Sequence, residues 1–358
     1  LPGNEKRVAI SFATFPAFRF LGVRCHPISP VASNGDDIIT IPPGTELAKQ
    51  PQCNPFRGAG LEFTIPVITD EIKNNVHIAP SLAGDRKDYD PWANAPRHDF
   101  LDAPHSRDRT YTVWFPELLK AMELYNIAID NTKIRDQFGA LLPDPVHLDF
   151  QTSHRAPQYH LQHSQAVLEA GVDSEQPVVV TNLQSLDVHY GTLTAKEGAQ
   201  GLSKTREIAS AQDVAFPMPL GIRDLLQGKS GVVIGNFSTN PAVNHGPWCD
   251  SCFMTQVTPW QVHAKIGHFN STVWVVDFAT GKTVSDAKVE LFLSSDDKLT
   301  GAQTNVATST TDNDGLATLA GTLDFDPQLN KARNSEKWYI KVTKDQDMAL
   351  LPLSSHYH

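Results

Sequence analysis

The chain of 358 residues is 40% hydrophobic and 20% charged, carries a formal net charge of -10, and contains 25 Pro and 22 Gly. That balance suits a folded, loop-rich chain and excludes disorder, while the acidity, with no Lys/Arg stripe interleaved with aromatics, excludes a nucleic-acid grip. No run of about 18 apolar residues offers a membrane-spanning helix, Leu1–Ile10 lacks the n-region and h-region of a signal peptide, and the missing initiator Met leads to the expectation of a processed or cut chain.

The length corresponds to roughly two to four domains. In residues 1–56, strands are expected at Val8–Phe12, Phe18–Val23 and Asp37–Ile41, separated by Pro-rich reversals. This segment is too short to close a sandwich, so it is either part of a domain or an extension of the next one. Four cysteines, Cys25, Cys53, Cys249 and Cys252, are compatible with two disulfides in an oxidising compartment. All three connectivities are open to the sequence, and neighbour pairing, Cys25 with Cys53 and Cys249 with Cys252, is the simplest.

A second set of strands, residues 57–164, opens at Gly60-Leu-Glu-Phe-Thr-Ile-Pro-Val and continues through Val76–Pro80, Tyr111–Phe115, Tyr125–Ile129 and Leu148–Thr152. The order resembles a bacterial immunoglobulin-like unit. Such units carry a Phe-x-x-Pro-Val strand end, a Val-x-Ile-x-Pro strand, a Tyr-x-Ile-x-Ile strand and an Asp-x-Phe-Gly turn, matched by Asp136-Gln-Phe-Gly139. Pro116–Met122 is read as a short helix with Pro in its first turn, Asp85–Arg109 as a long surface loop, and Ser153–Ser164 as a linker.

Residues 165–255 form the next expected sandwich, with strands at Gln165–Gly171, Pro177–Leu183, Leu186–Tyr190 and Gly231–Phe237. The polar stretch Gly191–Met218 reads as loop or short helix. In residues 256–358, apolar residues recur with period two at Val273 and Val275 and again at Val289 and Leu291, the mark of half-buried strands. Ala279-Thr-Gly-Lys and Asp312-Asn-Asp-Gly315 supply the reversals, and Asn313 and Gly315 tolerate the positive φ of a hairpin turn. No fixed-period identity runs through the chain, and modules of roughly 90 to 110 residues are ordinary domain sizes.

Phe253–Pro259, Val262–Gly267, Val273–Lys282, Asp312–Leu316 and Met348–Leu353, taken in order, resemble the macroglobulin-like domains of bacterial alpha-2-macroglobulins. The resemblance implies an all-β chain of tandem immunoglobulin/fibronectin-like (macroglobulin-like) β-sandwiches from the N-terminal half of a large periplasmic protease inhibitor. It also implies proteases as targets of the full-length protein, neighbouring domains of the same chain as partners, and membrane contact only through an inner-membrane lipoprotein anchor outside this stretch. In that family a protease cuts a bait segment and is trapped or bonded through a Cys-x-Glu-Gln thioester. None of the four cysteines stands in that context, and Asp173-Ser-Glu-Gln176 puts Asp173 where the Cys belongs, so it reads as a turn. The expected role is scaffold, without covalent trapping.

The residues with chemical potential read as structural. Trp248-Cys-Asp-Ser-Cys252 has redox spacing, but a reactive thiol needs a helix N-terminus, and this pair sits between strand-rich segments. It reads as a structural disulfide pinning a domain joint; an oxidoreductase would reduce insulin. His154, His160 and His163 could approach a metal if His160-x-x-His163 were helical, yet no Cys or carboxylate stands beside them at ligand spacing. Asp312–Gly315 lacks the distal Glu of a calcium loop, Gly228-Lys-Ser and Gly281-Lys-Thr lack the earlier Gly of a phosphate loop, and no Gly-x-Ser-x-Gly elbow is present. The sequons at Asn236 and Asn270 would matter only in a eukaryotic secreted protein. Paired carboxylates at Asp36–Asp37 and Asp296–Asp297 read as solvated turns. The chain is thus expected to be no enzyme, with no cofactor and no metal; the alternative function is an immunoglobulin-like binding or adhesion module of a cell-envelope protein.

Overall fold

The computed structural model describes residues 16–28, 38–67, 69–93, 109–243, 253–331 and 336–353, and the chain divides between Ala156 and Pro157 into two compact units. Nearly every element is a strand. The expected Val8–Phe12 strand and the Cys249–Cys252 pair lie outside the described residues.

The first unit contains β1 (Phe20–Cys25), β2 (Ile39–Ile41), β3 (Gly60–Phe63), α1 (Thr69–Asn75), β4 (Val76–Ala79), β5 (Tyr111–Trp114), β6 (Leu124–Ile129) and β7 (Val146–Gln151). One sheet has the order β2-β1-β3-β5 and the other β4-β6-β7. Alternation does the sorting: on β6, Tyr125, Ile127 and Ile129 are buried while Leu124 and Asn126 are exposed. They meet Val23, Ile41, Leu61, Phe63 and Val113 from the facing sheet in one core, with Tyr125 and Phe150 stacked at 5.4 Å. β1 and β2 pair into the sheet of β3 and β5.

The Cys25–Cys53 disulfide ties the end of β1 to a segment bridged to Pro27 on one side and to Thr152 on the other. Cys25 ends β1, whereas Cys53 runs beside the end of β7, its N–H donating to the Gln151 carbonyl at 2.9 Å and its carbonyl accepting from the Ser153 N–H at 2.9 Å.

One expectation fails in this unit. Pro116–Met122 is not a helix: its path is held by the Lys120 N–H donating to Tyr125 Oη at 2.9 Å and by Thr152 Oγ1 donating to the Lys120 carbonyl at 2.6 Å, and it ends at Met122 with φ 52°. The helix is α1 instead, where Asp70 and Glu71 occupy the first turn, Lys73 the last, and Ile72 anchors the element in the core. At seven residues it is too short to display a 3.6-residue period.

The second unit begins with β8 (Gln158–Leu161), β9 (Gln165–Glu169), β10 (Pro177–Thr181), β11 (Ser185–Thr194), β12 (Gly198–Glu207), β13 (Phe216–Pro219), α2 (Ile222–Leu225), β14 (Gly231–Asn240) and β15 (Phe253–Thr258). A three-stranded sheet, β13-β10-β8, faces a five-stranded one, β12-β11-β14-β15-β9. The stretch read as a linker therefore supplies β8, which pairs with β10 and sends Tyr159 against Phe237 at 5.3 Å. Gly191–Met218, read as loop or helix, is largely strand: β12 pairs along β11 although its exposed face lacks an apolar alternation. The boundary expected at residue 255 falls inside β15.

The unit continues with β16 (Trp260–Lys265), β17 (Asn270–Asp277), β18 (Lys288–Ser295), β19 (Asn305–Thr310), β20 (Leu316–Ala320), α3 (Thr322–Phe325), β21 (Glu336–Lys344) and β22 (Asp347–Pro352). Its sheets are β16-β17-β20 and β19-β18-β21-β22. The turns after β17 and β19 change sheets and do not pair their flanking strands. Gly281 and Gly315 take the positive φ in these turns, 66° and 71°, and Asn313 does not. At the second turn, Asp312 Oδ1 accepts from the N–H groups of Asp314 and Leu316, each at 2.9 Å.

Arg223 of α2 fixes the loop between β9 and β10. Its guanidinium donates to the carbonyls of Glu169 at 2.7 Å, Ala170 and Ser174 at 3.2 Å, and also to that of Val172. A lysine cannot offer that planar fork. Arg223→Ala is expected to lower unfolding stability by about 2–4 kcal/mol in urea titration, with Arg223→Lys recovering only part; equal stability of all three proteins would refute the role.

Candidate functional site

The feature of the second unit with no counterpart in an isolated sandwich is the joint between its two sandwiches. On β14, Val233 points into the first of these cores, while Val232 and Ile234 point the other way. They meet Phe292 of β18, Tyr339 of β21, Met348 and Leu350 of β22, together with Leu193 and Leu299. On β22, Ala349 belongs to the second core. The five-stranded and four-stranded sheets thus pack face to face, giving four layers and three apolar interiors.

The approach is close. A Cβ added at Gly198 would lie 2.0 Å from the Thr300 carbonyl oxygen, so the turn between β11 and β12 accepts the loop after β18 only because position 198 has no side chain. Hydrogen bonds join the two halves: Ser230 Oγ accepts from the Met348 N–H at 3.0 Å, Gln256 Nε2 donates to the Leu350 carbonyl at 2.9 Å, and Gln256 Oε1 accepts from the Leu350 N–H at 3.0 Å.

Polar recesses flank the apolar centre. One of about 360 Å³ is lined by Thr194–Gly198 on one side and by Glu290, Asn305 and Lys341 on the other. Glu290 is only 5% exposed; Lys288 Nζ donates to its Oε1 at 2.5 Å, Asn305 Nδ2 to the same oxygen at 2.6 Å, and Lys341 Nζ lies 3.4 Å from Oε2. Burial pushes this carboxyl up, but the two lysines outweigh it and hold it below the usual carboxylate range. A second recess of about 390 Å³ holds His189, Asn236, Asp296 and Asp297. Burial, then the bond to Asp296, raises the Tyr339 hydroxyl above its ordinary value, so Tyr339 donates to Asp296 as a neutral phenol. Asp296 also pairs with Lys337 at 3.2 Å and is more than a solvated turn residue.

Among the described residues, those singled out in the sequence do not assemble a reactive centre. His160 lies exposed on β8 opposite Val179, so His160 and His163 are not on a helix, and His154 is in the first unit. Among the described residues no group of three or more His, Cys, Asp or Glu is placed to hold a metal ion. Gly228 and Gly281 sit in turns at φ 74° and 66°. Asn236 lies within β14, Asn270 opens β17, and Asp36 and Asp37 are outside the described residues. Asp173–Gln176, expected as a turn, is irregular backbone that follows a turn at Ala170–Val172; its Glu175 accepts from the Ile222 N–H at 3.1 Å and its Gln176 is buried against Thr255. Ser230, Gln256 and Tyr339 carried no motif; the available signal was the unbroken apolar runs beside them, Val232–Ile234 and Met348–Leu351, which mark burial on both faces.

The fold defines a class, tandem β-sandwiches. No family model and no curated protein matches the sequence. Among solved structures the chain is similar to native alpha-2-macroglobulin from Escherichia coli spanning domains MG0-NIE-MG1, at 14% identity over 85% of this chain and 94% of that one, TM-score 0.46. It is also similar to Salmonella alpha-2-macroglobulin reacted with methylamine, at 14% identity over 83% of this chain, TM-score 0.49. The native conformation of the Escherichia coli protein gives 15% identity over 84% of this chain, TM-score 0.36. This chain spans 17% and 18% of those last two.

Because the folded-state value of Glu290 lies below the unfolded one, about 4.3, its stabilisation is complete above that pH and lost as pH falls through the folded value. Thermal melts of Glu290→Gln are expected to fall below those of the parent chain at about pH 7 and to converge with them as pH falls through the folded value; a constant gap would show that the carboxylate charge is not what stabilises this cluster.

Proposed function

We propose that this chain is the scaffold portion of a bacterial alpha-2-macroglobulin-like endopeptidase inhibitor. One observation carries the reading. The phrases that resemble macroglobulin-like domains fall, in order, on β15 of the preceding sandwich and then on the framework of the last one: β16, β17, the turn held by Asp312, and β22. Residues on these elements build a core and a joint, and each is fixed by packing on one or two faces.

The parent protein is periplasmic and membrane-anchored on this reading, its targets are proteases, and this stretch is no enzyme. The scaffold works mechanically. Stiff sandwiches hold a trap in one packing until cleavage elsewhere shifts the balance to another. The joint contributes by keeping two sandwiches at one mutual orientation through a packed interior and three directed hydrogen bonds.

Mixed at an equimolar ratio with an endopeptidase, the isolated chain is expected to leave cleavage of a protein substrate unchanged and to form no covalent adduct, whereas the full-length parent suppresses that cleavage. Inhibition or covalent capture by the isolated chain would overturn the scaffold assignment, and a parent without inhibition would overturn the family reading.

A further inference from the structure

Among the described residues β22 is the last strand of its sheet, so one side of its backbone has no strand neighbour there. Two side chains occupy that side. Gln256 meets Leu350 through both halves of its carboxamide, with distances of 2.9 and 3.0 Å. A primary amide offers an acceptor and a donor in the geometry of a peptide group, so Gln256 stands in for one residue of an absent strand. Two residues earlier on β22, the Met348 N–H donates to Ser230 Oγ, and the same hydroxyl lies 3.0 Å from the Met348 carbonyl and 3.2 Å from that of Val257. The spacing of two matches the alternation with which an edge strand turns its peptide groups outward.

Gln256 is carried by β15 and Ser230 directly precedes β14, so both contacts are made by the neighbouring sandwich. Each sandwich keeps its own closed interior: one is built around Val180, Val188 and Phe253, the other around Val275, Leu291 and Trp338, and the two share no residue. Parting the sandwiches therefore exposes only the joint and leaves both interiors intact.

We propose that Ser230 and Gln256 form a releasable clasp, which lets go of β22 in one concerted opening that separates the two sandwiches while each stays folded and bares the β22 edge. The opening is shared: once the apolar faces of Val232, Ile234 and Leu350 part, neither side chain can hold its backbone partner alone. The inference does not depend on the protease-inhibitor reading.

Native-state amide hydrogen exchange on the full chain separates this from independent local bonds. The diagnostic amide in each variant is the one whose own partner is intact. Ser230→Ala is expected to accelerate exchange at Leu350, and Gln256→Ala at Met348, each roughly five- to tenfold, the change that a loss of about 1 kcal/mol produces. Leu291 in β18 and Val188 in β11, both on central strands, should keep their parent rates and so report that the sandwiches remain folded. Acceleration confined to Met348 in Ser230→Ala and to Leu350 in Gln256→Ala would overturn the concerted opening. Equal acceleration at Leu291 and Val188 would overturn it too, because release would then be global unfolding.

Discussion

Two strands buried on both faces, β14 and β22, are the constraint on which the second unit depends. A strand in an ordinary sandwich hides one face and wets the other, and its residues alternate accordingly. On β14 and β22 that alternation is absent because each face meets a different interior: Val233 one core and Val232 with Ile234 the joint, Ala349 another core and Met348 with Leu350 the joint. Each side chain fully removed from water contributes roughly 1.5–3 kcal/mol, whereas a hydrogen bond contributes about 1 kcal/mol net. Apolar burial therefore sets the strength of the joint. The bonds from Ser230 and Gln256 set its register, since a slip along β22 would leave peptide groups unsatisfied at about 1–3 kcal/mol each.

The first unit solves a different problem with a covalent device. Its short β2 lies at the edge of its sheet, and the Cys25–Cys53 bond ties β1 to a segment held between Pro27, just after β1, and Thr152, just after β7. A bond of this kind limits the unfolded chain as well as the folded one. Packing on two faces and cross-linking are alternative ways to hold sheets at fixed separations, and this chain uses one in each unit.

Much of the fold was legible in the residues. Strong alternation, as at Tyr125–Ile129 or Val273–Val275, located strands because one side of each is wet. Three kinds of element were not legible. β12 is an exposed edge whose pairing with β11 is made by its backbone, so its Gly, Ser, Lys and Thr side chains carry no periodic signal. β8 is a four-residue edge strand whose identity depends on β10, distant in sequence. Pro116–Met122 has helical composition, but the hydroxyls of Tyr125 and Thr152 hold its backbone in another path. The turns at Gly281 and Gly315 were readable as turns, yet whether they joined paired strands or crossed between sheets depended on the partners of β17 and β19. The Cys25–Cys53 pairing could be named without its geometry, while Cys249 and Cys252 lie outside the described residues, and the clasp at Ser230 and Gln256 had no motif because its partners are backbone groups.

The central claim is that residues 177–258 and 260–352 share one orientation through the joint. Backbone residual dipolar couplings measured on the strands of both sandwiches test it most directly, since two bodies fixed to each other report the same alignment. The account predicts that a single alignment tensor fits both sets of couplings. Two tensors of different magnitude, one for each sandwich, would show that they reorient independently and would contradict it.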